Sequence, residues 1–109
     1  MSYKIKSIPK FEKELKRLAK RYIFLKVEYL QLVQSLKEDP IQGIPLGNNC
    51  FKIRLSIASK GKGKSGGGRI ITYVHLVQNS VYLLTIFDKS EEENISDKEL
   101  AEVLKWIPE

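Results

Sequence analysis

The chain has 109 residues, 42% of them hydrophobic, and a formal net charge of +6. That length fits one domain, residues 1–109, leaves no room for a second core, and carries enough apolar side chains to fold without a disulfide or metal staple. Its only cysteine, Cys50, rules out an internal disulfide, and no apolar run approaches the ~18 residues that would span a bilayer.

Residues 3–8 alternate loosely, Tyr3 and Ile5 against Lys4 and Lys6, and predict a first strand closed by Pro9. Phe11, Leu15 and Leu18 then recur at helical spacing, with Glu12, Lys13, Glu14, Lys16 and Arg17 between them. A second helical pattern covers residues 24–37, with Leu25, Tyr29, Leu32, Val33 and Leu36 on one face, and Asp39-Pro40 ends it. Little chain separates the two patterns, which predicts an antiparallel helical hairpin. Residues 41–49, rich in Gly, Pro and Asn, read as a loop. The period then becomes two. Phe51, Ile53, Leu55 and Ile57 alternate with Lys52, Arg54 and Ser56, so Lys52 and Arg54 share the face opposite the apolar set. Residues 58–68 are built from Gly, Lys, Ser and one Ala, bury nothing, and predict a mobile loop. Residues 69–77 are β-branched and aromatic and predict the strand that pairs back. Gln78-Asn79-Ser80 reads as a tight turn, and the apolar run at 81–87 as a strand inside the sheet. Ser96-Asp97-Lys98-Glu99 carries the S-x-x-E capping-box pattern, and Leu100, Val103, Leu104 and Ile107 follow at helical spacing. The order β-α-α-β-β-β-α predicts an α+β fold, with a mostly antiparallel sheet, an N-terminal helical hairpin and a C-terminal helix.

The charge is unevenly spread. Residues 1–40 carry a net +5, residues 41–87 carry +6 with no acid at all, and residues 88–109 carry −5. The acid-free stretch holds Lys52, Arg54, Lys60, Lys62, Lys64 and Arg69. Such a field attracts polyanions and releases their counterions on binding. The N-terminus lacks the apolar core of a signal peptide, so a cytoplasmic protein with no membrane partner is expected.

The segment Ala58-Ser59-Lys60-Gly61-Lys62-Gly63-Lys64-Ser65 nearly matches a phosphate-binding loop, G-x-x-x-x-G-K-[ST]. That loop must lead into a helix whose N–H groups hold the phosphates. Here three glycines and a β-branched run follow, and each glycine costs a helix about 1 kcal/mol against alanine. Nucleotide hydrolysis is therefore rejected. No metal-ligand spacing is present, and no metal or cofactor is expected. His75 stands alone in a strand pattern and reads as a packed or surface histidine, and Cys50 as a small core residue.

Clustered cations can support RNA cleavage. The substrate supplies its own nucleophile, the 2′-hydroxyl, so the protein must hold the phosphate in line and stabilise the added negative charge. It must also assist proton removal and protonation of the leaving 5′ oxygen. A lysine crowded by cations has its pKa pushed down, which suits it to act as base.

Cys50-Phe51-Lys52-Ile53-Arg54-Leu55, the glycine–lysine loop, Arg69-Ile70-Ile71-Thr72-Tyr73-Val74 and Tyr82-Leu83-Leu84-Thr85-Ile86-Phe87-Asp88-Lys89 together resemble RelE/HigB-type toxins of bacterial toxin–antitoxin systems. The stretch from Ala58 to Lys64, with its trailing glycines and Arg69, is most like the HigB branch. The resemblance covers about residues 50–100; the helical first third matches in layout. It implies a RelE-like fold and cleavage of mRNA in the ribosomal A site, which makes the ribosome a partner. It also implies neutralisation by a cognate antitoxin, expected to be a helix-turn-helix protein. By position it assigns catalysis to Lys52, Arg54, Arg69 and Lys89; the charge of the loop makes Lys60, Lys62 and Lys64 the candidates for RNA binding, together with Tyr73. Two positions depart from relatives. Ser90 stands where some carry an arginine, and Ile95 lies near a tyrosine proposed as acid or base, which leaves Tyr73 as a substitute only if it faces the basic side. A related branch, the ParE-type toxins, shares the fold but inhibits DNA gyrase. The loop lysines and the Lys52/Arg54/Arg69 set favour RNA cleavage over that branch; a basic nucleic-acid-binding domain is the other alternative.

Overall fold

Pro9 both closes the first strand and opens the first helix, where its missing N–H is no loss. In a computed structural model, which describes residues 2–23, 25–55, 67–88 and 94–107, the elements are β1 (Lys4–Ser7), α1 (Pro9–Arg21), α2 (Leu25–Glu38), β2 (Ile44–Gly47), β3 (Cys50–Leu55), β4 (Gly68–His75), β5 (Ser80–Asp88) and α3 (Asp97–Leu104). The five strands form one sheet in the order β1-β5-β4-β3-β2. The β1–β5 pair is parallel, and the other three pairs are antiparallel. No helix among the described residues is long and apolar enough to cross a membrane.

The α+β class and the helix–strand order match the sequence expectation, with one strand added. Residues 44–47, expected as loop, form β2 and pair with β3. Asn48 and Asn49 both hold positive φ, 53° and 63°, which is the twist a two-residue hairpin turn requires. Gly43, at φ +93°, lets the chain approach β3: a Cβ there would lie 2.3 Å from the Lys52 carbonyl oxygen. The strand expected over 69–77 ends at His75, and Leu76 and Val77 lie exposed in the turn. Asn79 supplies that turn's positive φ.

Burial follows the apolar pattern. The core takes Phe11 and Leu18 from α1, Leu25 and Leu36 from α2, and every residue of β5. Inside the sheet β5 is flanked by β1 and β4, which explains its nearly unbroken apolar run. β1 stops at the Ser7–Leu83 rung, so β5 outruns its neighbour. Glu14 of α1 takes over that edge. Its carboxylate accepts from the Ile86 amide at 3.2 Å, the Thr85 hydroxyl at 2.6 Å and the Lys10 ammonium at 2.5 Å. A side chain thus satisfies backbone that a longer β1 would have paired.

α3 begins as its sequence predicts. The Ser96 hydroxyl accepts from the Glu99 amide at 3.1 Å. Ile95 just before the cap and Leu100 in the first turn are both buried, the arrangement of a hydrophobic staple. Glu99 sits 3.8 Å from Lys10, linking α3 to the start of α1.

Candidate active site

The pairing of β3 with β4 decides which cations meet. In an antiparallel pair, residues directly opposite share a face, and every second residue along a strand returns to it. Arg54 is opposite Arg69, Lys52 opposite Ile71, and Cys50 opposite Tyr73. β5 extends these rungs with Phe87 beside Arg69 and Thr85 beside Ile71. On the other flank, Ile44 of β2 is opposite Lys52. Lys52, Arg54 and Arg69 therefore occupy one face, as the sequence period requires for the first two. The direct opposition of Arg54 and Arg69 is new information. Leu84 is the extra residue of a bulge between the Thr85 and Leu83 pairings, next to this face.

The three cations differ in environment. Arg54 is exposed, Lys52 is half-buried and Arg69 is only 7% exposed. The Arg69 guanidinium donates through Nη1 to its own strand, to the Gly68 carbonyl at 3.0 Å. Burial lowers the Arg69 pKa, and the Arg54 charge lowers it further. Among the described residues, no salt bridge involves Lys52, Arg54 or Arg69. Like charges directly opposite are destabilising in a sheet. Two arginines so placed, one of them poorly hydrated, have the chemistry to hold an anion, since each guanidinium offers a planar fork of donors.

Among the described residues, Lys52 has one hydrogen-bond partner. Its ammonium donates to the Asn94 side-chain oxygen at 3.4 Å, and the same oxygen accepts from the Ile95 amide at 2.9 Å. Nothing in the sequence pattern singles out Asn94. It lies 42 residues from Lys52, and only the fold joins them.

The other expected residues fall as follows. Tyr73 has the parity of Arg69 and so shares the basic face, but two residues past the Lys52 rung. Four residues of strand separate it from Arg69, about 13 Å. Its ring lies 6.3 Å from that of Tyr82 and 6.0 Å from His75. Lys60, Lys62, Lys64 and Lys89 lie outside the described residues, so their place relative to this face is not part of the geometry. From Gly68 the chain is a strand, β4, and not a helix, which agrees with rejecting the phosphate-loop reading. His75 is held in the turn, its Nδ1 accepting from the Gln78 amide at 3.3 Å. Cys50 is fully buried, and desolvation pushes its thiol up to about 11, so it is no nucleophile. Ile95 is 8% exposed and packed in the core, so that position offers no proton.

At the rim of the site, the Tyr22 hydroxyl donates to the buried Asp88 carboxylate at 2.5 Å. Asp88 pairs with Gly68, one residue before Arg69. The contact ties the end of α1 to the end of β5, where the basic face begins.

Two comparisons with known proteins bear on this arrangement. The sequence profile of a family described as the RelE toxin of the RelE/RelB toxin–antitoxin system matches residues 8–107. A solved structure of E. coli toxin RelE, a double arginine-to-alanine variant in the free state, superposes with a TM-score of 0.66 at 18% sequence identity, covering 99% of this chain and 100% of that one.

Proposed function

Because this chain belongs to the RelE toxin family, whose profile spans residues 8–107, we propose that it is a ribosome-dependent mRNA endonuclease that blocks translation and is neutralised by a cognate antitoxin. The observation that carries this reading is the Arg54–Arg69 opposition beside Lys52, a cation cluster with no acidic partner among the described residues. It suits a phosphodiester whose charge grows in the transition state.

In this mechanism the mRNA sits in the ribosomal A site and its 2′-hydroxyl attacks the adjacent phosphorus. Arg54 and Arg69 hold the non-bridging oxygens from opposite strands. Arg69 is the stronger clamp, because a desolvated charge acts through a lower dielectric. Lys52, as an ammonium, stabilises the 2′ oxygen as its proton leaves to solvent and the P–O5′ bond breaks, and Lys89 stabilises the leaving 5′ oxygen. Lys60, Lys62 and Lys64 hold RNA through its backbone, and Tyr73, further along the same face, offers a ring on which a base stacks. The nucleophile comes from the substrate, so this chemistry asks for no metal or cofactor. The toxin acts in the cytoplasm, is of the HigB-like branch, and its antitoxin is a helix-turn-helix protein.

Pulse labelling after induction without antitoxin tests the reading. Protein synthesis should stop first, and primer extension should find new 5′ ends inside translated messages. If DNA synthesis stops first and messages stay intact, the gyrase-directed reading of the ParE branch replaces it.

A further inference from the structure

Lys52 stands in the proposed chemistry with its ammonium on a half-buried face and, among the described residues, no carboxylate in a salt bridge with it. A lysine side chain has four rotatable bonds and no planar fork to fix its head. Unaided, it spreads its charge over many rotamers. Among the described residues, its hydrogen-bond partner is the carboxamide oxygen of Asn94 at 3.4 Å. That oxygen is itself fixed, since it also accepts from the Ile95 amide at 2.9 Å. Behind it the chain is pinned twice, by the buried Ile95 side chain and by the Ser96 cap on α3.

We propose that Asn94 is a positioning residue for RNA cleavage, whose neutral carbonyl holds the Lys52 ammonium toward the scissile phosphate without cancelling its charge. The inference rests on the functional reading of Lys52 given above. The residue type matters. An aspartate at 94 would offer the same oxygen with a full negative charge. It would pair with Lys52 and weaken the field that Arg54, Arg69 and Lys52 build together. An asparagine supplies the dipole alone. With its oxygen committed, its Nδ2 group keeps two donors for a nucleotide bound against this face.

The device also explains why α3 is stapled and capped at its start. The capping serine and the buried Ile95 and Leu100 set the angle at which the chain meets the helix. That angle in turn sets where the carboxamide stands over β3. Ile95 is turned into the core, and its neighbour Asn94 meets Lys52 instead.

The experiment is single-turnover cleavage on programmed ribosomes with Asn94→Ala, Asn94→Asp and Lys52→Ala, alone and combined, at saturating toxin and across a toxin titration. Asn94→Ala should lower the saturating rate about tenfold, the scale of one hydrogen bond to a charged group, with half-saturation unchanged. Asn94→Asp should be slower still, although it keeps the oxygen. In the Lys52→Ala background, Asn94→Ala should cost no more than about twofold, because residues acting through one contact are not additive. A purely structural Asn94 would lower the melting temperature and act equally in both backgrounds. Full additivity, or an Asn94→Ala protein at wild-type rate beside a crippled Lys52→Ala, overturns the role of Asn94 alone. A Lys52→Ala protein at wild-type rate overturns instead the functional reading on which it rests.

Discussion

Removing one arginine of the opposed pair should stabilise the fold while it damages activity. Arg54→Gln is the cleaner change, since Arg54 is exposed and makes no side-chain hydrogen bond among the described residues, whereas Arg69 also packs. Directly opposite side chains in an antiparallel pair have Cβ atoms about 5 Å apart, and like charges there are unfavourable by up to about 1 kcal/mol. Coulomb's law gives an independent figure. At a head-group separation of roughly 7 Å and an effective dielectric of about 20, the repulsion is about 2.4 kcal/mol. Exposure of Arg54 to solvent reduces that, so the smaller figure decides. The titration of Arg69 agrees in sign. Its folded pKa is lowered, first by burial and then by Arg54, so the folded state holds that proton less tightly than the unfolded chain. Stability then rises with pH only between that lowered folded pKa and the usual arginine value, and at every physiological pH the charged guanidinium works against folding. A gain of about 1 kcal/mol corresponds to about 4 °C in melting temperature for a domain of this size. The assay is thermal melting of wild type and Arg54→Gln at about 50 mM and 1 M salt. At high salt the screening length falls to about 3 Å and the advantage of the variant should shrink. A variant that melts below wild type at low salt, or that keeps its full gain at 1 M, would refute a repulsive pair.

Arg69→Ala should remove transition-state stabilisation of about 2.7–4 kcal/mol, or about 100–1,000-fold in single-turnover rate, and lysine should rescue only part because it lacks the fork. A folded Arg69→Ala protein that cuts at near wild-type rate would move the assignment to Lys52, Arg54 and Lys89. Single changes of Lys60, Lys62 or Lys64 should be milder and reduce the salt dependence of ribosome binding. The Cys50 thiol, raised to about 11 by burial, favours the folded state while it stays protonated; that contribution is complete below the usual thiol range and is lost as pH climbs through about 11. Melting temperature against pH should fall in that window, and a Cys50→Ala variant should lose this component of the fall. Tyr22→Phe deletes a hydrogen bond to the buried Asp88 carboxylate and should destabilise by about 1–3 kcal/mol in urea unfolding; an unchanged midpoint would show that the contact contributes nothing net.

Local physics wrote much of this protein into its sequence. The period-two run from Phe51 to Leu55 put Lys52 and Arg54 on one face before any partner strand was known, and β3 keeps them there. Ser96 and Glu99 marked the start of α3, and the cap forms between those two residues. These signals survive because side-chain direction and helix capping depend only on residues a few positions apart. β2 was missed because four residues show no period, although Asn48-Asn49 carried the hairpin signal. The register of β3 against β4 was beyond local reach. The segment joining the two strands has a glycine-rich sequence that fixes no turn type, so nothing nearby states that Arg54 meets Arg69 rather than Ile71. The burial of Arg69 and the meeting of Lys52 with Asn94 depend on Phe87, Ile95 and α3 arriving from distant sequence. Residue types chose the cations, and long-range packing chose which of them stand opposite each other on one face of the sheet.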